Sequence, residues 1–181
     1  MSTVEKLEKG VLVRLEAEEA ALVRALMEQL LELLGEGPDK GGELAALGIT
    51  EQAAKPEDPV LARLFPDAYR EDGEAAGEFR RYTEMGLRDG KREAATTVLE
   101  SLGDLRRATA EGVTVELDEE RVQTWLRALN DVRLALGTRL DISEEWYEEA
   151  ARLDPRDPRT AMFAAYDWLT MLQESLVRAI W

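Results

Sequence analysis

The spacing of apolar positions changes several times along the chain, and each change marks an element. In "GVLVRL" (residues 10–15) the β-branched Val11 and Val13 alternate with other residues, which predicts a short strand. From residue 17 to 34 the period becomes helical. Leu22, Leu26, Leu30 and Leu33 share one face, with Val23, Met27 and Leu34 beside them and Glu18, Arg24, Glu28 and Glu32 opposite. "GEGPDKGG" stops this helix and opens a loop expected to run through residues 35–58, the most mobile segment of the chain, with room for one helical turn in "ELAALG". "DPVLARLFP" reads as a short helix with Pro59 near its start and Pro66 beyond its end.

Residues 72–105 are rich in helical pattern, with a break or bend expected at "RDGK" (residues 88–91). The first half presents Phe79, Tyr82 and Met85 or Gly86; the second presents Ala94, Ala95, Val98, Leu102 and Leu105. "EGVTVEL" (residues 111–117) predicts a second strand. Asp118 is placed to cap a helix reaching about residue 140, and Ser143 to cap a short one in "EEWYEEAARL". Asp157 and Pro158 open the final helix.

Two of these segments resemble each other. "GVLVRLEAEEA" and "GVTVELDEERV" each lead into a helix carrying Arg-Ala-Leu, and one extra residue in the second helix aligns the later part. This suggests a repeated strand–helix unit whose two strands pair. A two-stranded ribbon is marginal alone, so helices must cover it. The expected fold is mostly α: a helical bundle-like single domain over residues 1–181 with a small two-stranded β ribbon.

Polar residues that interrupt the leucine faces are the candidate chemistry. At about 100° per residue, Trp125, Leu129, Val132, Leu136 and Leu140 form a stripe. Arg133 falls inside it and Arg139 on its flank; Asn130 and Gly137 lie beside Arg133, and Asp131 points away. An arginine on a core face must snorkel or meet a carboxylate. Two readings stand: a buried ion pair joining helices, with Asp67, Glu78, Asp167 or Glu174 as the acid, or a cleft in which Asn130 and Arg133 hold an anionic group. Gln173 sits in the apolar face of the last helix as a buried amide needing partners. Trp181 either packs on its own domain or contacts another subunit or a partner.

Composition narrows the chemistry. Among 181 residues there is no cysteine and no histidine, which removes disulfides, thiol switches, histidine-based triads and nearly all zinc sites. No GxGxxG, GxxxxGK[ST] or GxSxG occurs, no two carboxylates stand out as an acid–base pair, and no cofactor or metal is implied. The net charge of −15 disfavours unaided DNA binding, which draws on cationic side chains. No apolar run approaches the roughly 18 residues of a membrane span, and the opening residues lack a signal-peptide pattern, so a cytoplasmic location is expected.

"LFPDAYREDGEAAGEFRRYTE", "WLRALNDVRLALGTRLDI" and "YDWLTMLQESLV", with the opening strand–helix unit, resemble an actinobacterial family. It is catalogued as a domain of unknown function (DUF2017) and named after an actinomycete oxidative-stress regulator, AosR. The resemblance spans nearly the whole chain. It implies a cytoplasmic regulator of the transcriptional stress response that works with a sigma factor, and it brings no catalytic residues. The redox sensing attributed to that regulator uses cysteines, and this chain has none. The expected function is therefore non-enzymatic regulation through protein–protein contacts, without thiol sensing. A homodimer is compatible with it. The alternatives are a small-ligand-binding protein or enzyme using Arg133 and Asn130, or an adaptor for Clp-type proteolysis, suggested by the gene neighbourhood of the family.

Overall fold

The computed structural model describes residues 1–35, 58–66, 73–103 and 112–181, with residues 73–85 as backbone only. The expected loop at residues 36–57 lies outside the described residues, as do Asp67 and the side chain of Glu78.

The chain enters through strands β1 (Thr3–Lys6) and β2 (Val11–Leu15) and continues into helix α1 (Ala17–Leu34). Helices α2 (Pro59–Leu64) and α3 (Gly73–Leu102) follow, then strand β3 (Val113–Leu117). The remainder is helical: α4 (Glu119–Arg139), α5 (Trp146–Arg152) and α6 (Pro158–Ile180). The fold is mostly α, as the periodicities predict.

Among the described residues, however, the sheet has three strands rather than two, in the order β1-β2-β3 with both pairings antiparallel. β1 leaves almost no mark in the sequence because it is an edge strand burying no side chain fully; only Val4 leans on the core. The predicted ribbon is β2–β3, with Val11 opposite Leu117, Val13 opposite Val115 and Leu15 opposite Val113. Val11, Val13, Leu15, Val115 and Leu117 point to the core, as alternation requires.

The repeat is visible in the packing, at a different alignment from the one Arg-Ala-Leu suggests. At one constant spacing, Ala20, Val23, Met27 and Leu30 of α1 correspond to Val122, Trp125, Leu129 and Val132 of α4, and all eight are buried. No extra residue is needed, because burial follows the 3.6-residue period and not the identity of a tripeptide. The stripe of α1 is thereby rotated from the predicted leucine face toward Val23, Met27 and Leu34. Gly10 and Gly112, with φ of 98° and 92°, precede the two paired strands and approach the opposite strand's end in the same way.

Helix ends follow the sequence signals with one exception. Asp58, Asp118 and Asp157 each accept a backbone N–H of the first turn, from Val60, Arg121 and Arg159 at 2.8, 2.8 and 2.9 Å. Ser143 does not cap α5 directly. Its hydroxyl accepts from Glu145 N at 3.2 Å in the turn before the helix, which starts at Trp146.

The break expected at residues 88–91 does not occur: α3 is helical throughout. Gly90 faces open space, where its cost is only about 1 kcal/mol relative to alanine. The residues around it bind across to neighbouring helices. Arg92 Nη1 donates to the carbonyls of Leu31 at 3.0 Å and Gly35 at 2.8 Å, and Arg88 Nη1 donates to that of Leu34. In return Arg24 of α1 donates to the Gly103 carbonyl just past α3. Neither helix has a basic residue in its own last turn. Each supplies the cations for the other's C-terminal carbonyls, which the antiparallel packing allows.

Helix α4 is central, packed against α1, α2, α3 and α6. Trp125 is fully buried and donates Nε1 to Ser101 Oγ at 3.3 Å. Glu19 ties the start of the chain and α6 to the first turn of α1: it accepts from Ser2 N at 3.0 Å, Glu16 N at 2.9 Å and Trp168 Nε1 at 3.1 Å. No helix among the described residues is long and apolar enough to cross a membrane.

Candidate functional site

The polar residues of α4 separate into three environments, because a helix surrounded on several sides has more than one buried flank. Asp131, which the helical wheel points away from the core, is one of two buried charged residues among the described ones. Its Oδ1 accepts from Lys91 Nζ of α3 at 2.7 Å. Burial pushes its carboxyl above the usual value, and Lys91 pulls it partly back. This pair holds α3 to α4 and is closed to solvent on the aspartate side.

Arg139, expected on the core flank, instead extends to the surface. Its Nη2 lies 3.2 Å from Asp58 Oδ2, the carboxylate whose other oxygen caps α2. The acid it finds is thus none of the four considered from sequence. Its stem borders an apolar hollow of about 240 Å³ with Leu30, Leu33, Val60, Leu136 and Met162.

Arg133 takes the opposite flank and lines a cleft of about 400 Å³. Asn130, Leu134, Gly137 and Thr138 of α4 form one wall, and Tyr166 of α6 another; Arg63 of α2, Asp141 and Ile142 complete it. Among the described residues Arg133 meets no acid. Its Nη1 donates to Gln173 Oε1 at 2.7 Å, and its guanidinium carbon stands 5.3 Å from the centre of the Tyr166 ring. Its Nε is buried without a hydrogen-bond partner. Gln173 donates its amide to the Leu126 carbonyl at 3.5 Å, so the amide is oriented with its oxygen toward the arginine.

The ion-pair candidates lie elsewhere. Asp167 accepts from the Tyr147 hydroxyl at 2.7 Å, raising the pKa of that phenol. Glu174 pairs with Arg178 at 3.5 Å on the exposed face of α6. Of the residues singled out from sequence, the structure brings Asn130, Arg133 and Gln173 together and separates Arg139, Asp167 and Glu174 from them. Trp181 is 89% exposed, at the edge of a hollow with Lys6, Gly10, Gln123 and Ile180.

Arg63, Tyr166, Thr138 and Asp141 were not foreseen. The first two reach the cleft from other elements, which no single-helix wheel reveals. Asp141 has a local origin: Ile142 N bonds back to the Gly137 carbonyl at 2.9 Å and Asp141 N to that of Thr138 at 3.3 Å. This is the six-to-one and five-to-two pattern that ends a helix with a left-handed residue, a place usually held by glycine. Asp141, with φ 52°, is the one non-glycine residue of positive φ among the described residues. No group of three or more acids among them could hold a metal ion.

These features can be set beside known proteins. Proteins named oxidative stress regulator AosR, from Mycobacterium tuberculosis and Mycobacterium bovis, are 36% identical over 176 residues, covering 88% of this chain and 77% of theirs. A relative from Mycobacterium leprae is 36% identical over 179 residues, covering 90% and 78%. No solved structure matches. The profile described as "Domain of unknown function (DUF2017)" matches residues 1–180, and the chain belongs to that family.

Proposed function

We propose that this chain is a non-enzymatic, cytoplasmic regulator of the stress response that acts through protein–protein contacts, with a sigma factor or RNA polymerase as partner. The observation that carries this reading is the 36% identity, over 88% of the chain, to proteins named oxidative stress regulators. The net charge of −15 favours a basic protein surface over DNA as the contact. Exposed Trp181 is the type of side chain that anchors such contacts. With no cysteine in the sequence, regulation by this chain does not use thiol oxidation.

Biolayer interferometry with the purified chain against RNA polymerase core, holoenzyme and free sigma factors of its host tests this. Saturable binding is expected to at least one, weakened about tenfold or more by Trp181→Ser. No binding to any of them would overturn the proposal.

A further inference from the structure

The geometry points to a ligand site: the cleft beside Arg133 binds a small organic anion, its carboxylate or phosphate head on Arg133 and Arg63 and its body against Tyr166 and Ile142. This goes beyond the regulatory reading and does not depend on it.

The first support is the state of Arg133. A guanidinium has five N–H donors in a planar fork suited to carboxylate or phosphate. Here one hydrogen bond, to the neutral Gln173 amide, and the Tyr166 ring hold the group in place. Among the described residues no carboxylate neutralises it. Arg63 brings a second guanidinium to the same cleft, where Asp141 is the one acid among the described lining residues. In a chain of net charge −15, a concavity with more cations than acids is a local reversal of the surrounding field.

The second support is shape. The cleft, about 400 Å³, falls within the size of small-ligand sites, about 300–1,000 Å³. Gly137 keeps it open: a Cβ there would stand 3.4 Å from Tyr166 Cε2 and 3.7 Å from Ile142 Cγ1, and a larger side chain would fill the space between. The third is strain. Asp141 holds a left-handed conformation that glycine would adopt more readily, and it does so on the cleft wall.

Calorimetric titrations of the full chain at low salt, with benzoate, phenyl phosphate, inorganic phosphate and neutral benzamide, test the assignment. Benzoate or phenyl phosphate is expected to saturate in the millimolar range or below, and whichever binds tighter identifies the head group. Benzamide and inorganic phosphate should each bind about tenfold weaker than the better organic anion. Gly137→Val should weaken that anion about tenfold by filling the cleft. Arg63→Ala, at an exposed side chain that leaves folding intact, should weaken it about fivefold or more. Arg127→Ala, exposed on α4 outside the cleft, should change nothing. Equal binding of benzamide or of inorganic phosphate, failure of all four probes to saturate, or an unaltered affinity in Arg63→Ala would overturn the proposal.

Discussion

Lys91 Nζ of α3 and Asp131 Oδ1 of α4 meet at 2.7 Å, and the aspartate is buried to 4% exposure. Lys91→Ala leaves that carboxylate without its cation, and a loss of about 2–4 kcal/mol is expected in urea unfolding at neutral pH. The sign of the pH dependence follows from the raised carboxyl. The folded state holds the Asp131 proton more readily than the unfolded state does. Its contribution to stability is therefore greatest below the ordinary 3.8 and falls as pH rises through the folded value. Without Lys91 the fall should steepen, so the deficit of Lys91→Ala should shrink on acidification from about pH 7 to about pH 4.5. A deficit independent of pH would count against a buried, charged Asp131.

Arg92 closes the end of α1 by bonding the carbonyls of Leu31 and Gly35. Arg92→Ala should cost about 1–2 kcal/mol, with faster amide exchange confined to the last turns of α1. Arg92→Lys should recover part of the loss, because one ammonium keeps the charge but not the fork. Uniformly faster exchange would show that the role is not local.

Gly10 and Gly112 are the mirrored pair of the sheet. A Cβ on Gly10 would lie 2.0 Å from the Leu117 carbonyl oxygen, and one on Gly112 would lie 2.1 Å from that of Leu15. With positive φ added, alanine at either position should cost about 2 kcal/mol or more. Thermal melts should show similar losses for the two variants, since the environments are related by the same repeat. A loss at one position alone would mean that the two strand ends differ in rigidity.

Arg133→Ala distinguishes the amide-held arginine from a buried ion pair. Removing it strands only the neutral Gln173 oxygen, so a cost of about 1–2 kcal/mol is expected in chemical unfolding. A cost of about 4 kcal/mol would instead indicate a carboxylate left buried.

How much of this was legible follows from how local each cause is. Asp118 and Asp157 announce their helices because a cap needs only a side chain and the next turn. β1 was silent because an edge strand with one partly buried residue carries no alternation to read. Asp131 was misread because a wheel assumes a single buried stripe, whereas α4 is covered from several sides and Lys91 meets it from a distant helix. Gln173 was expected to need partners, but that its partner is Arg133 depends on how α6 lies on α4.

The sequence by itself determined the mostly α class, the paired strands β2 and β3, most helix starts and the presence of an arginine where a leucine stripe should be smooth. These depend on residue spacing and on contacts within a turn or two. Only the tertiary structure decided that Arg133 opens onto a cleft while Asp131 is sealed. The hydrophobic stripe orients α4, but which neighbour covers each flank depends on long-range packing, and that packing determines which charged group keeps its water.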